Sequence, residues 1–387
     1  MKKSNPYGYL TDRLSDLDQQ QRLRSLIPRI ARGTRIVEPD GTELVNFGGN
    51  DYLGFASEPV RKGHFDTLRG SGASALVCGW TAEHQRLAET IADFESTEAA
   101  VVFPSGFVAC SGTTATLAEE GDLILSDRLN HASLIDGCRM SKAECMVYPH
   151  LSFEYVADVL RKKRQQYQRV WIVTDGVFSM DGHVAPLREL AQLAAEYNSQ
   201  LIVDEAHGTG VLGANGTGVC EALGVKEQVA IRIGTLSKAI GGQGGFVAGP
   251  KVVIDYLINR CRTLIYSTSL APASVLAALA AFELVRDEPG RRHHVCSLAQ
   301  RLRGRLSIHV DETESGVPII PILIGSDADA IKLSSQLRAK GFFVPAIRPP
   351  TVPEGTARLR VSLSAAHTEQ MVDELADAIH GFLHSQN

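Results

Sequence analysis

Between residues 70 and 250, short apolar runs rich in β-branched residues alternate with stretches of helical period. The runs are AAVVF (99–103), DLILSD (122–127), ECMVYP (144–149), VWIVTD (170–175), LIVDEA (201–206), VAIRIG (229–234) and GFVAG (245–249). Helix-length segments separate them over 84–95, 106–119, 134–142, 153–164 and 186–197. Short unbroken apolar runs mark buried strands, and apolar positions recurring every 3.6 residues mark helices. Strands and helices in this alternation predict an α/β fold, with a mostly parallel central sheet and helices on both of its faces. Strands that are apolar at nearly every position fit burial on both sides.

The flanks read differently. Residues 1–45 make a polar N-terminal arm, with a helix expected over 11–26 and a break at Pro28. A strand is expected at 44–47, and the polar loop GGNDYLG follows it. The composition shifts again at DEPG (287–290). Beyond it come a long basic helix, strands at 317–323, 342–347 and 357–363, and a last helix from Thr368. The chain is thus expected to divide into an arm (1–45), a large domain (46–285) and a smaller C-terminal α+β domain (286–387). The uncharged stretch after Arg262 has too few large apolar residues for a membrane span and reads as a buried loop plus a core helix.

Composition narrows the function classes. The 39 lysines and arginines against 44 aspartates and glutamates give a net charge of −5, which argues against a general nucleic-acid binder. Seven scattered cysteines with no CxxC pair argue against a disulfide framework and a zinc site, and fit a reducing cytoplasm. The two lysines at the N-terminus have no apolar run behind them, so no signal peptide is expected.

Open parallel sheets bind ligands beyond the carboxyl ends of their strands. Ser105, Gly106 and Phe107 follow the first run, His131 the second and Ser179 the fourth. Asp204 ends the fifth, with His207 three residues on, and Thr235, Ser237 and Lys238 follow the sixth. Singly, each reads as a cap, a turn or a surface residue. Together they gather polar groups past five strands on one sheet edge. Neither the dinucleotide fingerprint nor a P-loop occurs. Lys238 lies in TLSKAIGGQGG with no charged neighbour, a setting that desolvates an amine and favours its neutral, nucleophilic form. Such an amine forms a Schiff base with an aldehyde. Pyridoxal phosphate needs that lysine, a carboxylate for its ring nitrogen, donors for its phosphate and a group over its ring. Lys238, Asp204, the helix start at Gly106–Phe107 with Thr235, and His131 can supply these in turn.

Taken in order, FPSGF, DRLNHASLIDG, TDGVFSMDG, LIVDEAHGTGVLG and GTLSKAIGGQGG resemble the α-oxoamine synthase family of fold-type-I pyridoxal-phosphate enzymes, from about Arg24 to the last helix. The resemblance implies a decarboxylative condensation of an amino acid with an acyl thioester, on a cofactor held by the large domain. It makes Lys238 the Schiff-base lysine, Asp204 the partner of the ring nitrogen, His207 the donor to the cofactor's 3′-oxygen and His131 the ring-stacking group. Gly106, Phe107, Thr235 and Ser179 match further cofactor-contact positions. The family's shared-site homodimer would add Ser267 or Thr268 of a neighbouring subunit as phosphate donors. Within the family, AIRPPTVPEGTARLR (346–360) resembles the biotin-pathway branch, whose substrates are L-alanine and a pimeloyl thioester on coenzyme A or an acyl carrier protein. Arg24, Asn50, Thr351 and Arg360 match its substrate-contact positions, with Arg360 on the amino acid's carboxylate and Arg358 ranked second. Acetyl transfer to glycine is the nearest alternative, and an aminotransferase the next. No metal, nucleic acid or membrane partner is expected. Three features depart from the family pattern: Asp175 stands in place of Glu, Cys110 in place of Asn, and the segment over 59–70 is short.

Overall fold

The structure, a computed structural model, describes residues 6–59 and 69–383. Most of the short segment before the GSG loop therefore lies outside the described residues. In chain order the elements are α1 (Gly8–Gln19), β1 (Ile30–Arg32), β2 (Arg35–Val37), β3 (Glu43–Asn46), α2 (Ala82–Glu95), β4 (Ala99–Phe103), α3 (Gly106–Leu117) and β5 (Leu123–Asp127). There follow α4 (Ala132–Met140), β6 (Glu144–Tyr148), α5 (Phe153–Lys163), β7 (Val170–Asp175), α6 (Leu187–Glu196), β8 (Gln200–Asp204), β9 (Ile231–Thr235) and β10 (Gly245–Gly249). Each of the seven apolar runs is a strand of one sheet, in the order β4-β10-β9-β8-β7-β5-β6.

Strands β5 to β9 pair in parallel. β10 runs against both of its neighbours, β4 and β9. The five polar strand ends thus share one edge, but β10 stands between β4 and the other four. Side chains alternate between the faces of a strand, and the sheet uses this to feed two cores. Ile172, Leu201 and Val203 enter one cluster. Trp171, Val173 and Ile202 enter the other, across the sheet. Burial on both faces fixes the register, since a slip of one residue would exchange the two sets.

The C-terminal part contains the helix Pro289–Arg305 and the strands β11 (Ile319–Gly325), β12 (Phe342–Phe343), β13 (Ala346–Ile347) and β14 (Ala357–Ser362), closed by the helix Glu369–Leu383. The strand expected over 342–347 is two strands in two sheets. β12 pairs in parallel with β3, and β13 pairs antiparallel with β14. Pro345, which has no N–H for a ladder, lies at the break. β1 and β2, which the sequence reading does not anticipate, join β3 and β12 in a four-stranded sheet. The arm helix stops at Gln19 instead of reaching residue 26, and Gln21 takes a φ of +56°. Among the described residues no helix is long and apolar enough to cross a membrane, and no cluster of His, Cys, Asp or Glu could hold a metal.

Candidate active site

The edge beyond β4, β5, β7, β8 and β9 carries the candidate chemistry. Ser105 caps α3, its side chain accepting from the amide of Val108 at 3.4 Å. The first amides of a helix have no intrahelical acceptor, so those of Gly106 and Phe107 face outward from the strand end. A Cβ on Gly106 would lie 3.1 Å from Thr235 Oγ1, so glycine lets the helix start sit against that hydroxyl. Thr235 Oγ1 donates to the carbonyl of Gly244 at 3.0 Å.

His131 caps α4. Its Nδ1 accepts from the Ser133 amide at 3.3 Å and lies 2.7 Å from Ser133 Oγ. A ring nitrogen that accepts from an amide is unprotonated, so the His131 proton sits on Nε2. Phe107, 44% exposed, meets the likewise exposed His131 edge-on, with ring centroids 6.2 Å apart. The His131 amide donates to Asp175 Oδ2 at 3.0 Å.

Asp175 and Asp204 are register partners at the ends of β7 and β8. Asp204 accepts from the Ala206 amide at 2.9 Å and from the Cys110 thiol at 3.1 Å. Burial, and then Asp204, hold the Asp175 carboxyl well above the usual carboxylate range, and its Oδ1 has no partner. Burial and Asp204 likewise push the Cys110 thiol up.

Lys238 lies in the turn between β9 and β10, closed by a bond from the Gly241 amide to the Lys238 carbonyl. Gly241 adopts a φ of +69°, which few other residues would accept there. The Lys238 amine is 2.9 Å from His207 Nε2. Desolvation lowers its pKa, against the pull of Asp204 and Asp175. Burial, with Lys238 and Arg360 nearby, holds His207 well below the ordinary histidine value.

A residue missed by the sequence reading completes the chain of contacts. Tyr52, fully buried, lies with its hydroxyl 2.6 Å from His207 Nδ1 and 3.2 Å from Asn50 Oδ1. In sequence it reads only as an aromatic of the GGNDYLG loop. Arg360, on β14, donates from Nε to the Ser179 carbonyl at 2.5 Å and from Nη1 to Ser362 Oγ at 2.7 Å. Its Nη2 donates to Asn50 Oδ1 at 3.1 Å and leans on the Tyr52 hydroxyl at 3.5 Å. Ser179 thus meets Arg360 through its backbone. Arg358 is engaged by Asp181 and by the Thr356 carbonyl.

Hydrogen bonds, packing or strand register link Gly106, Phe107, Thr235, His131, Asp175 and Asp204. The Lys238–His207 pair meets this set through the pull of Asp204 and Asp175 on the amine, and Asn50, Ser179 and Arg360 join His207 through Tyr52. Arg24 and Thr351 form a separate exposed pair, bonded to each other at 2.9 Å. Thr268 bridges to Ser74 of its own chain. The central set suits a phosphorylated pyridine aldehyde: a desolvated amine, a buried carboxylate with donors at both oxygens, a capped helix start and two exposed rings.

Comparison with known proteins shows the family. The family described as aminotransferase class I and II matches residues 42–379. An 8-amino-7-oxononanoate synthase of Anaeromyxobacter dehalogenans is 44% identical over 376 residues, 96% of this chain and 94% of that protein. A structure of SPT (serine palmitoyltransferase) with PLP is 28% identical, with a TM-score of 0.88, covering 97% of this chain and 96% of that one. The 8-amino-7-oxononanoate synthase of Francisella tularensis is 28% identical, with a TM-score of 0.75, covering 89% and 98%.

Proposed function

Because the chain belongs to the class I and II aminotransferases and, within them, to the α-oxoamine synthases, we propose that it condenses L-alanine with a pimeloyl thioester. The products are 8-amino-7-oxononanoate, carbon dioxide and the free thiol, and the cofactor is pyridoxal 5′-phosphate. The observation that carries this reading is the meeting of a desolvated lysine–histidine pair with an arginine that keeps donors to spare, on a chain 44% identical to a synthase of that name.

In this reading Lys238 holds the cofactor's aldehyde, Asp204 its ring nitrogen and His207 its 3′-oxygen. The Gly106 and Phe107 amides, with Thr235, take the phosphate, and His131 and Phe107 cover the ring. Ser179 is a further contact. When bound, the cofactor supplies an electron sink at the amino acid's α-carbon. The protein's own groups do the rest. Arg360 and Asn50 orient alanine by its carboxylate, as a guanidinium fork suits a carboxylate. Lys238, its pKa lowered by desolvation, takes the α-proton as general base. His131 donates its Nε2–H to the acyl carbonyl as charge develops there. After carbon dioxide leaves, Lys238 returns a proton to the same carbon.

Arg24 and Thr351 are assigned to the far carboxylate of the acyl chain, carried on coenzyme A or a carrier protein. A homodimer with shared sites is part of this reading, and exposed Leu76 and Val77 offer it an apolar face. Ser267 or Thr268 would then reach the partner's phosphate site. The divisions at residues 45 and 285 belong to the same proposal. A cytoplasmic setting fits seven cysteines that are all free.

The test is turnover of the purified protein with alanine or glycine, across acyl thioesters of different length and terminal charge. A strong preference for alanine with the carboxyl-ended C7 chain is expected. Faster turnover with glycine and an acetyl thioester would replace this reading with acetyl transfer to glycine.

A further inference from the structure

We propose that Tyr52 is a positioning residue that keeps the proton of His207 on Nε2, aiming that N–H at the nitrogen of Lys238. The proposal rests on the reading of Lys238 as the cofactor lysine, and adds to it the group that sets the histidine's tautomer.

A neutral imidazole has one N–H, and the hydrogen bond at one ring nitrogen decides which nitrogen carries it. The same logic lets second partners orient a histidine that binds a metal. Here Tyr52 lies at Nδ1, 2.6 Å away, and Lys238 at Nε2, 2.9 Å away. Burial keeps the phenol protonated by raising its pKa, although Arg360 opposes it. Burial also keeps His207 neutral.

With one proton on the phenol and one on the ring, two arrangements satisfy the chain. In the first, Arg360 donates to the phenol oxygen, the phenol donates to Nδ1, and Nε2–H donates to a neutral lysine. In the second, the phenol turns to Asn50, Nδ1–H donates to the phenol oxygen, and Nε2 accepts from a lysine ammonium. The distances favour the first. The phenol is far closer to Nδ1 than to Asn50 Oδ1, which is 3.2 Å from it and already accepts from Arg360 at 3.1 Å. Arg360 has no acceptor atom, so towards the phenol oxygen it can only donate. That contact is open to both arrangements, so the short phenol–Nδ1 distance beside the long one to Asn50 is what selects the first, in which the run of donors ends on the lysine's lone pair. It leaves the amine neutral and the histidine a donor, the form needed to bond a cofactor oxygen at the same place.

Tyr52→Phe removes the hydroxyl and keeps the ring. The groups facing Lys238 are then His207, Asp204, Asp175, Cys110 and Arg360, and those facing His207 are Lys238, Arg360 and His131. With no donor at Nδ1, the ring proton is free to divide between its nitrogens, and Nε2 can accept from an ammonium.

The experiment is nitrogen NMR of cofactor-free protein carrying 15N-imidazole histidine, with His207 assigned by its loss in His207→Asn. Wild-type protein should show Nε2 protonated and Nδ1 bare, and Tyr52→Phe should show a mixture or the reverse. In parallel, the pH dependence of Lys238 labelling by an amine reagent should move up by about one pH unit in Tyr52→Phe, roughly a tenfold slower reaction at fixed pH below the transition. A protonated Nδ1 in the wild-type protein overturns the proposal without any variant. So does a Tyr52→Phe protein unchanged in both readouts. Failure of the underlying reading looks different: borohydride reduction with pyridoxal phosphate would leave Lys238 unmodified, whatever the tautomer.

Discussion

Arg360→Lys tests the carboxylate site while keeping its charge. A guanidinium has five N–H donors. Three of those on Arg360 are spent, on the Ser179 carbonyl, Ser362 Oγ and Asn50 Oδ1. One N–H remains on Nη1. On Nη2 the other leans on the Tyr52 hydroxyl at 3.5 Å, long enough to be given up. These two form the fork an incoming carboxylate would take. A lysine in the same place has three donors on one nitrogen, and the three standing acceptors can use all of them. The substrate then loses at least one charge-assisted bond, worth about 1.5–3 kcal/mol. At about 1.4 kcal/mol per tenfold, alanine should bind roughly 10- to 150-fold more weakly. The assay is an alanine titration of the loaded enzyme by absorbance, with steady-state kinetics beside it. KM for alanine should rise far more than kcat falls, the pattern of lost ground-state binding, and KM for the thioester should stay put. An unchanged KM for alanine in a folded variant would mean that Arg360 does not meet the carboxylate.

Three further outcomes are expected. In the proposed reading Asp204→Asn removes the anion that would keep the cofactor's ring nitrogen protonated, so it should cut turnover by about two to four powers of ten, and steady-state kinetics on protein with unchanged far-ultraviolet circular dichroism would check it. Arg232→Met should destabilise the fold at pH 8 by about 3–5 kcal/mol in urea unfolding, because it strands a buried carboxylate; Arg232 and Glu95 are almost fully buried and pair at 2.8 Å. Glu95 should also make stability depend on pH. Burial raises its folded pKa from 4.5 to about 7, so its contribution is complete below about 4.5 and is lost as pH rises through about 7, a fall of about 3 kcal/mol. Glu95→Gln should flatten that part of the urea-midpoint profile.

The seven-stranded sheet was legible because strands buried on both faces leave unbroken apolar runs, and the polar ends of those runs marked the site edge. The reversal of β10 was not anticipated, although its signal was present. Only nine residues, 236–244, join β9 to β10, too few for a parallel crossover. β1 and β2, at three residues each, are too short for periodicity to register. Tyr52 was lost for another reason. Its partners His207 and Arg360 lie 155 and 308 positions away, so only the folded chain distinguishes it from an ordinary core aromatic.

Two of the departures from the family pattern surround a single carboxylate, which bears on the charge of the cleft. Asp175 and Asp204 stand side by side, and two buried acids so close do not both ionise cheaply. Asp204 has donors at both oxygens, the Ala206 amide and the Cys110 thiol. Asp175 has one, the His131 amide, and its Oδ1 has none. The proton therefore falls to Asp175, in the direction that burial and Asp204 already push it. Asp175 then anchors His131 without adding charge. What remains is one negative group, Asp204, acting on Lys238, and in the proposed reading the Arg360 guanidinium is the cation that a substrate carboxylate would meet. The donor at position 110 acts on that same group. A thiol donates more weakly than the amide of an asparagine, so in the proposed reading Cys110 would hold Asp204 in place while leaving that oxygen able to take a stronger bond from the cofactor's ring nitrogen.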